Sequence, residues 1–334
     1  MLYSLLKPLL FSVDAELAHE VSLEMLQQFH RLLPQSRLHN PCNVMGLEFP
    51  NPVGLAAGLD KNADYLDGLS RLGFGFIEVG SVTPRPQPGN AQPRLFRLRR
   101  QQSIINRMGF NNKGVDYLLS RVEQKSRDYP LGINLGKNLG TSVEDALSDY
   151  RIGFEKVYPE ADYIALNVSS PNTPGLRKLQ NEDALEDLLG GIGELRKRLE
   201  DDYQYRRPVA VKLSPDLNKK AIPGIVDILR RHAVDGLIAT NTTLSRDAVT
   251  DNPLSAEAGG LSGAALRDRS RLILSEFYRE LGDDIPIISV GGIDSIEEAK
   301  TRFELGAKLI QLYSSLIFKG PGLVKTINRA LLKE

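Results

Sequence analysis

From Pro52 onward the sequence alternates. Short apolar runs with β-branched residues, or with Gly or Asn at their ends, are each followed by a longer stretch with helical spacing of apolar positions. The runs are VGLAAG (53–58), FGFIEVGSV (74–82), LGINLG (131–136), DYIALNV (162–168), PVAVKLS (208–214), DGLIAT (235–240), IPIISVGG (285–292) and KLIQLYS (308–314). Helical patterns fall near 62–72, 113–127, 143–157, 182–200, 217–232, 262–281, 295–305 and 320–332. Strict alternation of this kind needs parallel strands joined by crossover helices. A doubly wound open sheet is the alternative, but eight regular units over the whole remaining chain favour closure into a (β/α)8 barrel. Such a barrel takes about 250 residues, so a chain of 334 has room for extensions. Residues 83–105, rich in Pro and Arg, read as an excursion over the barrel mouth.

Composition narrows the chemistry. With 41% hydrophobic and 25% charged residues the chain is an ordinary globular one, which excludes disorder. Lys plus Arg equals Asp plus Glu at 42 each, so no basic bias points to nucleic acid. A lone cysteine, Cys42, and four histidines exclude a disulfide scaffold and a Cys- or His-rich metal site, so no metal is expected.

Residues 1–40 stand apart from the alternation. MLYSLLKPLLF is apolar but far short of the roughly 20 residues that a membrane span needs. It has neither a basic leader nor a small-residue cleavage site, so it does not read as a signal peptide. Asp14 starts a second, amphipathic pattern with Leu17, Val21, Met25, Phe29 and Leu32 on one side. The segment therefore reads as a two-helix hairpin. Taken alone, it is either a satellite packed on the barrel or an interfacial membrane anchor.

In such barrels chemistry sits at the C-terminal ends of the strands. Those ends carry Ala57-Gly58-Leu59-Asp60-Lys61, Gly80-Ser81, Asn134, Asn167 through Asn172, Lys212, Thr240-Asn241-Thr242, Gly291-Gly292 and Tyr313-Ser314. Amides, hydroxyls, two lysines and bare backbone dominate, which suits a large planar heterocycle carrying a phosphate. The glycines at 291–292, with Gly263 and the Ser314 hydroxyl, suit the phosphate, although a Gly-Gly is also an ordinary tight turn. Lys212 lies inward in an apolar strand and needs an anionic partner. That partner is either a reduced flavin ring, or the lysine is instead a Schiff-base amine of an aldolase-type barrel. Lys61 is either a substrate-carboxylate ligand or half of a surface ion pair. In NVSSPNTPGLRKLQ (167–180), Asn167 and Asn172 match a cyclic imide edge, and Ser170 can move a proton although no His or Asp in the string activates it. Asn106 and Asn241 add further amides.

Several strings are familiar together: LAAGLDK, VGSVTPRPQPGN, PRLFRL, NRMGFNN, NLGKN, NVSSPNTPGLR, ATNTT, GGLSG, VGGIDS and QLYSSLIFKGP. They resemble the class 2 dihydroorotate dehydrogenases from the N-terminal helices to the last one. The resemblance implies an FMN-containing barrel, with one FMN per chain, that oxidises dihydroorotate to orotate for pyrimidine synthesis and passes electrons to a membrane quinone. It implies FMN contacts at Ala57, Gly58, Leu59, Asp60, Lys61, Ser81, Asn134, Asn167, Lys212, Thr240, Gly263, Gly292, Tyr313 and Ser314. Substrate contacts follow at Lys61, Asn106, Arg107, Met108, Gly109, Phe110, Asn167, Asn172, Asn241 and Thr242, with Ser170 as the base. Ser81 departs from the expected threonine but keeps the hydroxyl. Related soluble enzymes carry Cys where Ser170 stands and lack the leading helices. With the resemblance, residues 1–40 read as a membrane and quinone-access extension on a barrel of residues 41–334. His19 and Arg97 become the quinone ligands, and the location is peripheral, on the cytoplasmic face of the inner membrane. Two other readings remain: another FMN barrel reductase, such as one acting on RNA uridines, and a non-redox phosphate-binding barrel using Lys212 as the Schiff base.

Overall fold

The computed structural model describes residues 2–34, 38–123 and 127–332. In chain order it begins with α1 (Leu2–Ser12), α2 (Ala15–Gln28), β1 (Cys42–Val44), β2 (Leu47–Phe49), β3 (Val53–Leu55), α3 (Leu66–Ser70) and β4 (Phe76–Val82). There follow β5 (Leu95–Leu98), β6 (Ser103–Asn106), α4 (Val115–Val122), β7 (Leu131–Leu135), α5 (Ala146–Val157), β8 (Tyr163–Asn167), α6 (Glu182–Tyr203) and β9 (Val209–Leu213). The chain ends with α7 (Ile222–Arg231), β10 (Gly236–Ala239), β11 (Gly260–Gly263), α8 (Arg267–Leu281), β12 (Ile287–Val290), α9 (Ile296–Glu304), β13 (Ala307–Leu312), α10 (Ser314–Lys319) and α11 (Gly322–Leu331).

Eight of these strands close a parallel barrel in the order β3, β4, β7, β8, β9, β10, β12, β13 and back to β3; seven lie within the expected apolar runs, and β13 begins one residue before its run, at Ala307. The strands read as nearly continuous apolar runs because both faces are covered, by helices outside and by a filled interior inside. Period-two alternation sends Phe76, Tyr163, Ala210, Ile238, Ile288 and Leu309 inward, where they form one apolar layer. The hairpin β1–β2 plugs the bottom: Val44 and Phe49 join that layer, and the Phe49 ring meets Phe76 edge-on at 5.1 Å. One step higher on the same inward-facing rows come Glu78, Lys212 and Gln311, all buried. Polar groups in the interior therefore begin directly above a sealed floor, and the open end lies above them.

The excursion at 83–105 holds more order than its composition implies. It contains β5 and leads into β6, and these pair antiparallel with β11 in a small sheet over the mouth. That pairing also delays the helix expected from 262, which starts at Arg267. The helix expected at 113–127 is Val115–Val122, and its residues 124–126 lie outside those described.

The leading hairpin has two faces. Asp14 caps α2 by accepting from the Glu16 and Leu17 N–H groups at 2.9 and 3.0 Å. The inner face is docked: Phe11 packs with Ile104 and Phe318, and Glu16 forms a bidentate pair with Arg94 at 2.6–3.0 Å. The outer face leaves Leu5, Leu9, Leu17, Val21, Met25, Phe29 and Leu32 exposed, Leu5 by 76% and Leu32 by 79%. Among the described residues no helix is long and apolar enough to cross a membrane.

Candidate active site

A cavity occupies the barrel mouth under β5, β6, β11 and α2. The expected residues Ala57, Gly58, Lys61, Ser81, Asn106, Met108, Gly109, Phe110, Asn167, Ser170, Asn172, Lys212, Thr240, Asn241, Thr242, Gly263, Gly292, Tyr313 and Ser314 all line it, and so does His19. They come from every quarter of the ring, so only closure of the barrel brings them together.

The amides form linked pairs. Asn241 donates to Asn167 Oδ1 at 3.1 Å and to Ser169 Oγ at 3.0 Å, while Asn167 donates to Ser81 Oγ at 2.8 Å. Asn172 donates to Asn106 Oδ1 at 3.0 Å. Ser170 is buried, and its Oγ accepts from the Asn172 N–H at 3.3 Å. The loop that carries it is held by Arg177, which donates to the carbonyls of Ser169 and Thr242 at 3.0 and 2.8 Å and pairs with Asp216.

At one end, Gly263, Gly291 and Gly292 take positive φ values of 87°, 114° and 77°. A Cβ at Gly292 meets the Arg267 backbone at 2.5 Å, and one at Gly263 meets the Gln102 carbonyl at 2.4 Å. Only glycine fits at these two positions, and with no side chain there the backbone can come close to an anion. Ser262 and Ser314 share a hydroxyl hydrogen bond of 2.8 Å beside them. Loops after β12 and β13 with a short extra helix, α10, are where this fold binds phosphate.

At the other end sit the titratable groups. Burial pulls the Lys61 ammonium down to about 8; the Glu16 carboxylate opposes this and Arg94 adds to it. Burial and the Lys61 charge hold the His19 imidazole at about 4, against Glu16 and a bond with the Leu59 backbone. His19 is therefore neutral at pH 7, and Lys61 carries most of its charge.

Five expected residues do not reach the cavity. Arg107 turns outward to Glu257 at 2.6 Å, donates to the Pro93 carbonyl and stacks on Phe96. Arg97 is bound by the Leu10 carbonyl at 2.8 Å and by that of Val13, with its guanidinium over the Phe11 ring. It therefore joins the hairpin to β5 beside the cavity. Leu59 and Asp60 line a neighbouring hollow beneath α2. There the Asp60 carboxyl, raised to about 6 by burial, takes N–H bonds from Asn62, Asp64 and Tyr65 and shapes the loop that presents Lys61. Asn134 lies one layer down, accepting from Ser81 Oγ and donating to Glu78 Oε1 at 2.8 Å.

Glu78 is what the strand-end reading missed. Lys212 was expected to find its counter-charge in a ligand, but the barrel supplies one, with Lys212 Nζ 3.6 Å from Glu78 Oε1. The signal was an acidic residue at an inward position of an apolar strand, which is as costly as the lysine and needs the same explanation.

The closed barrel with its polar, amide-lined mouth marks an enzyme of the (β/α)8 class. Within that class the chain belongs to the dihydroorotate dehydrogenase family, whose model matches residues 41–334. It is 49% identical over 332 residues to a dihydroorotate dehydrogenase (quinone) of Azoarcus sp., covering 99% of this chain and 98% of that one. It is 52% identical over 334 residues to that of Marinomonas sp., covering 97% and 95%. Among solved structures, the dihydroorotate dehydrogenase of Eimeria tenella in complex with ferulenol superposes with a TM-score of 0.88 at 36% identity, covering 95% of this chain and 90% of that one.

Proposed function

We propose that this chain oxidises dihydroorotate to orotate in pyrimidine synthesis, using one bound FMN, and passes the two electrons to a membrane quinone. The observation that carries the reading is the convergence of Ser170, Asn106, Asn167, Asn172, Asn241 and Lys61 on one cavity with a glycine-lined anion end, in a chain of this family.

The family is flavin-dependent, and the residues present fit FMN. Gly263, Gly291 and Gly292 suit its phosphate. The floor offers the Lys212 ammonium, with one long ion pair, and the buried Gln311 Oε1, which has no hydrogen-bond partner. A donor and an unsatisfied acceptor on one floor match the pyrimidine edge of a flavin. Bound there, FMN supplies the two-electron acceptor.

Oxidation removes a proton from C5 and a hydride from C6 of dihydroorotate. Ser170 takes the C5 proton. Among the described residues its Oγ makes no hydrogen bond to a histidine or carboxylate, so it works as a weak base positioned by the Arg177-held loop. The four asparagines bind the ring amides, each having more donors and acceptors than the bonds it makes here. Lys61 binds the substrate carboxylate, with Thr242 and the Met108–Phe110 backbone closing the side. Neutral His19 serves a quinone carbonyl where α2 meets the cavity, and Arg97 braces the same joint. Residues 1–40 rest their exposed apolar face on the cytoplasmic surface of the inner membrane, so that quinone enters from lipid while residues 41–334 do the chemistry.

The test is direct. The purified protein is expected to be yellow, anaerobic dihydroorotate to bleach it stoichiometrically, and a water-soluble quinone to restore the colour. A colourless protein, or a flavin that dihydroorotate leaves oxidised, sinks the reading.

A further inference from the structure

Four side chains from four strands converge on the Glu78 carboxylate in the barrel interior. Oε1 accepts from Asn134 at 2.8 Å and faces Lys212 Nζ at 3.6 Å, while Oε2 accepts from Gln311 Nε2 at 2.7 Å and from the Tyr163 hydroxyl at 2.9 Å. Glu78 is fully buried and lies outside the cavity wall, whereas Lys212 and Gln311 belong to that wall. The Tyr163 hydroxyl is held protonated by burial and by Glu78 itself, which secures it as a donor.

Two consequences follow. Gln311 has one orientation in which its amide nitrogen serves Glu78, and that orientation leaves its buried Oε1 as an acceptor without a partner. Among the described residues Lys212 has no other carboxylate within ion-pair distance and its ammonium makes no hydrogen bond, so there Glu78 offsets its charge. A buried ion pair is tolerated when its remaining groups are satisfied, and removing one member leaves the other uncompensated.

We infer that Glu78 is a positioning residue that sets the charge and the hydrogen-bonding face of the cavity floor, by holding Lys212 and Gln311 beneath the flavin ring. The inference rests on the flavin reading above. With Glu78 ionised, the floor is close to neutral before a ring is bound, and Lys212 meets added negative charge only in part. A neutral residue at 78 leaves the lysine charge unopposed and favours the more negative, reduced ring.

Three variants test this: Glu78→Gln, Lys212→Met, and the two together, with flavin midpoint potential and FMN dissociation as readouts. Wild-type protein that binds FMN and is reduced by dihydroorotate secures the reading beneath, so a failure below belongs to this inference alone. Glu78→Gln is expected to raise the midpoint potential. Lys212→Met strands the Glu78 carboxylate under the ring and is expected to shed FMN. Adding Glu78→Gln removes that charge, and the double variant is expected to hold FMN about tenfold or more tighter than Lys212→Met. If Glu78→Gln does not fold, the comparison of Lys212→Met with the double variant still decides. A potential that stays level or falls in Glu78→Gln overturns the inference. So does a double variant that holds FMN no better than Lys212→Met.

Discussion

Ser170 and Lys61 do most of the work the geometry asks of single residues, and each has a separate signature. Ser170 Oγ accepts one long hydrogen bond, from the Asn172 N–H, so removing it costs the fold little. Ser170→Ala is expected to keep FMN and to slow anaerobic flavin reduction by about 10²–10⁴-fold, the worth of a general base. Ser170→Cys is expected to retain part of the rate with a lower pH optimum, because a thiol ionises far more readily than an alcohol. Stopped-flow traces of Ser170→Ala that overlay wild type rule the base out. Lys61 is read by pH. Burial favours its neutral form and brings it to about 8, whereas a substrate carboxylate needs the charged form. Orotate affinity is therefore expected to be full below that value and to weaken above it, approaching about tenfold per pH unit well beyond it. Lys61→Gln is expected to bind weakly at every pH. Wild-type affinity that stays flat from about pH 7 to 10 removes Lys61 from the substrate site.

At the level of elements, the sequence and the structure part company in an orderly way. All eight barrel strands were legible, because a strand covered on both faces must be apolar throughout and PVAVKLS or DYIALNV can hardly be anything else. The lid sheet was not. RLFRL and GGLSG are short, polar and without alternation: β5 and β6 form a local hairpin, and β11 is a strand only because it pairs with β6 across about 150 residues of chain. The Glu78–Lys212 pair was half legible. Each residue is anomalous in its own strand, but β4 and β9 are not neighbours in the sheet, so only closure makes the two meet. The leading helices were legible as amphipathic, and the structure assigns their faces, with Phe11 and Glu16 inward and Leu5 and Leu9 outward. That assignment is testable. Leu5→Glu with Leu9→Glu changes two exposed positions and is expected to leave stability within about 0.5 kcal/mol per site. Flavin reduction by dihydroorotate should be unchanged, while co-sedimentation with anionic liposomes and turnover with a long-tailed quinone fall together. Undiminished liposome binding defeats the anchor.

Considered whole, the molecule is a barrel that closes without its hairpin and a hairpin that depends on the barrel. The junction has a polar centre. Arg94 reaches Glu16 on α2 with one side of its guanidinium, and the carbonyls of Pro88 and Asn90 with the other, at 2.7 and 2.8 Å. Asn90 in turn donates to the Asn172 carbonyl at 3.3 Å, in the loop that carries Ser170. Docking of α2 is thus tied by hydrogen bonds to the substrate side of the cavity. Burial raises the Glu16 carboxyl, but its hydrogen bonds and charge contact with Arg94 outweigh this and leave it below its ordinary value. The sign follows: a carboxylate held low stabilises the docked hairpin above its unfolded range, and that support is lost as pH falls through the lower, folded value. Glu16→Gln strands the Arg94 charge at the joint, which at a buried pair costs on the order of 3 kcal/mol. The cost should fall on the hairpin and not on the barrel, since regions with fewer apolar contacts open first. In Glu16→Gln, amide exchange is therefore expected to quicken across residues 2–34 while β4, β7 and β8 keep their protection and FMN stays bound. Wild type should show the same local opening as the pH is lowered. Exchange that quickens equally in hairpin and barrel would show that the two parts open as one unit, and that the clamp supports the whole fold.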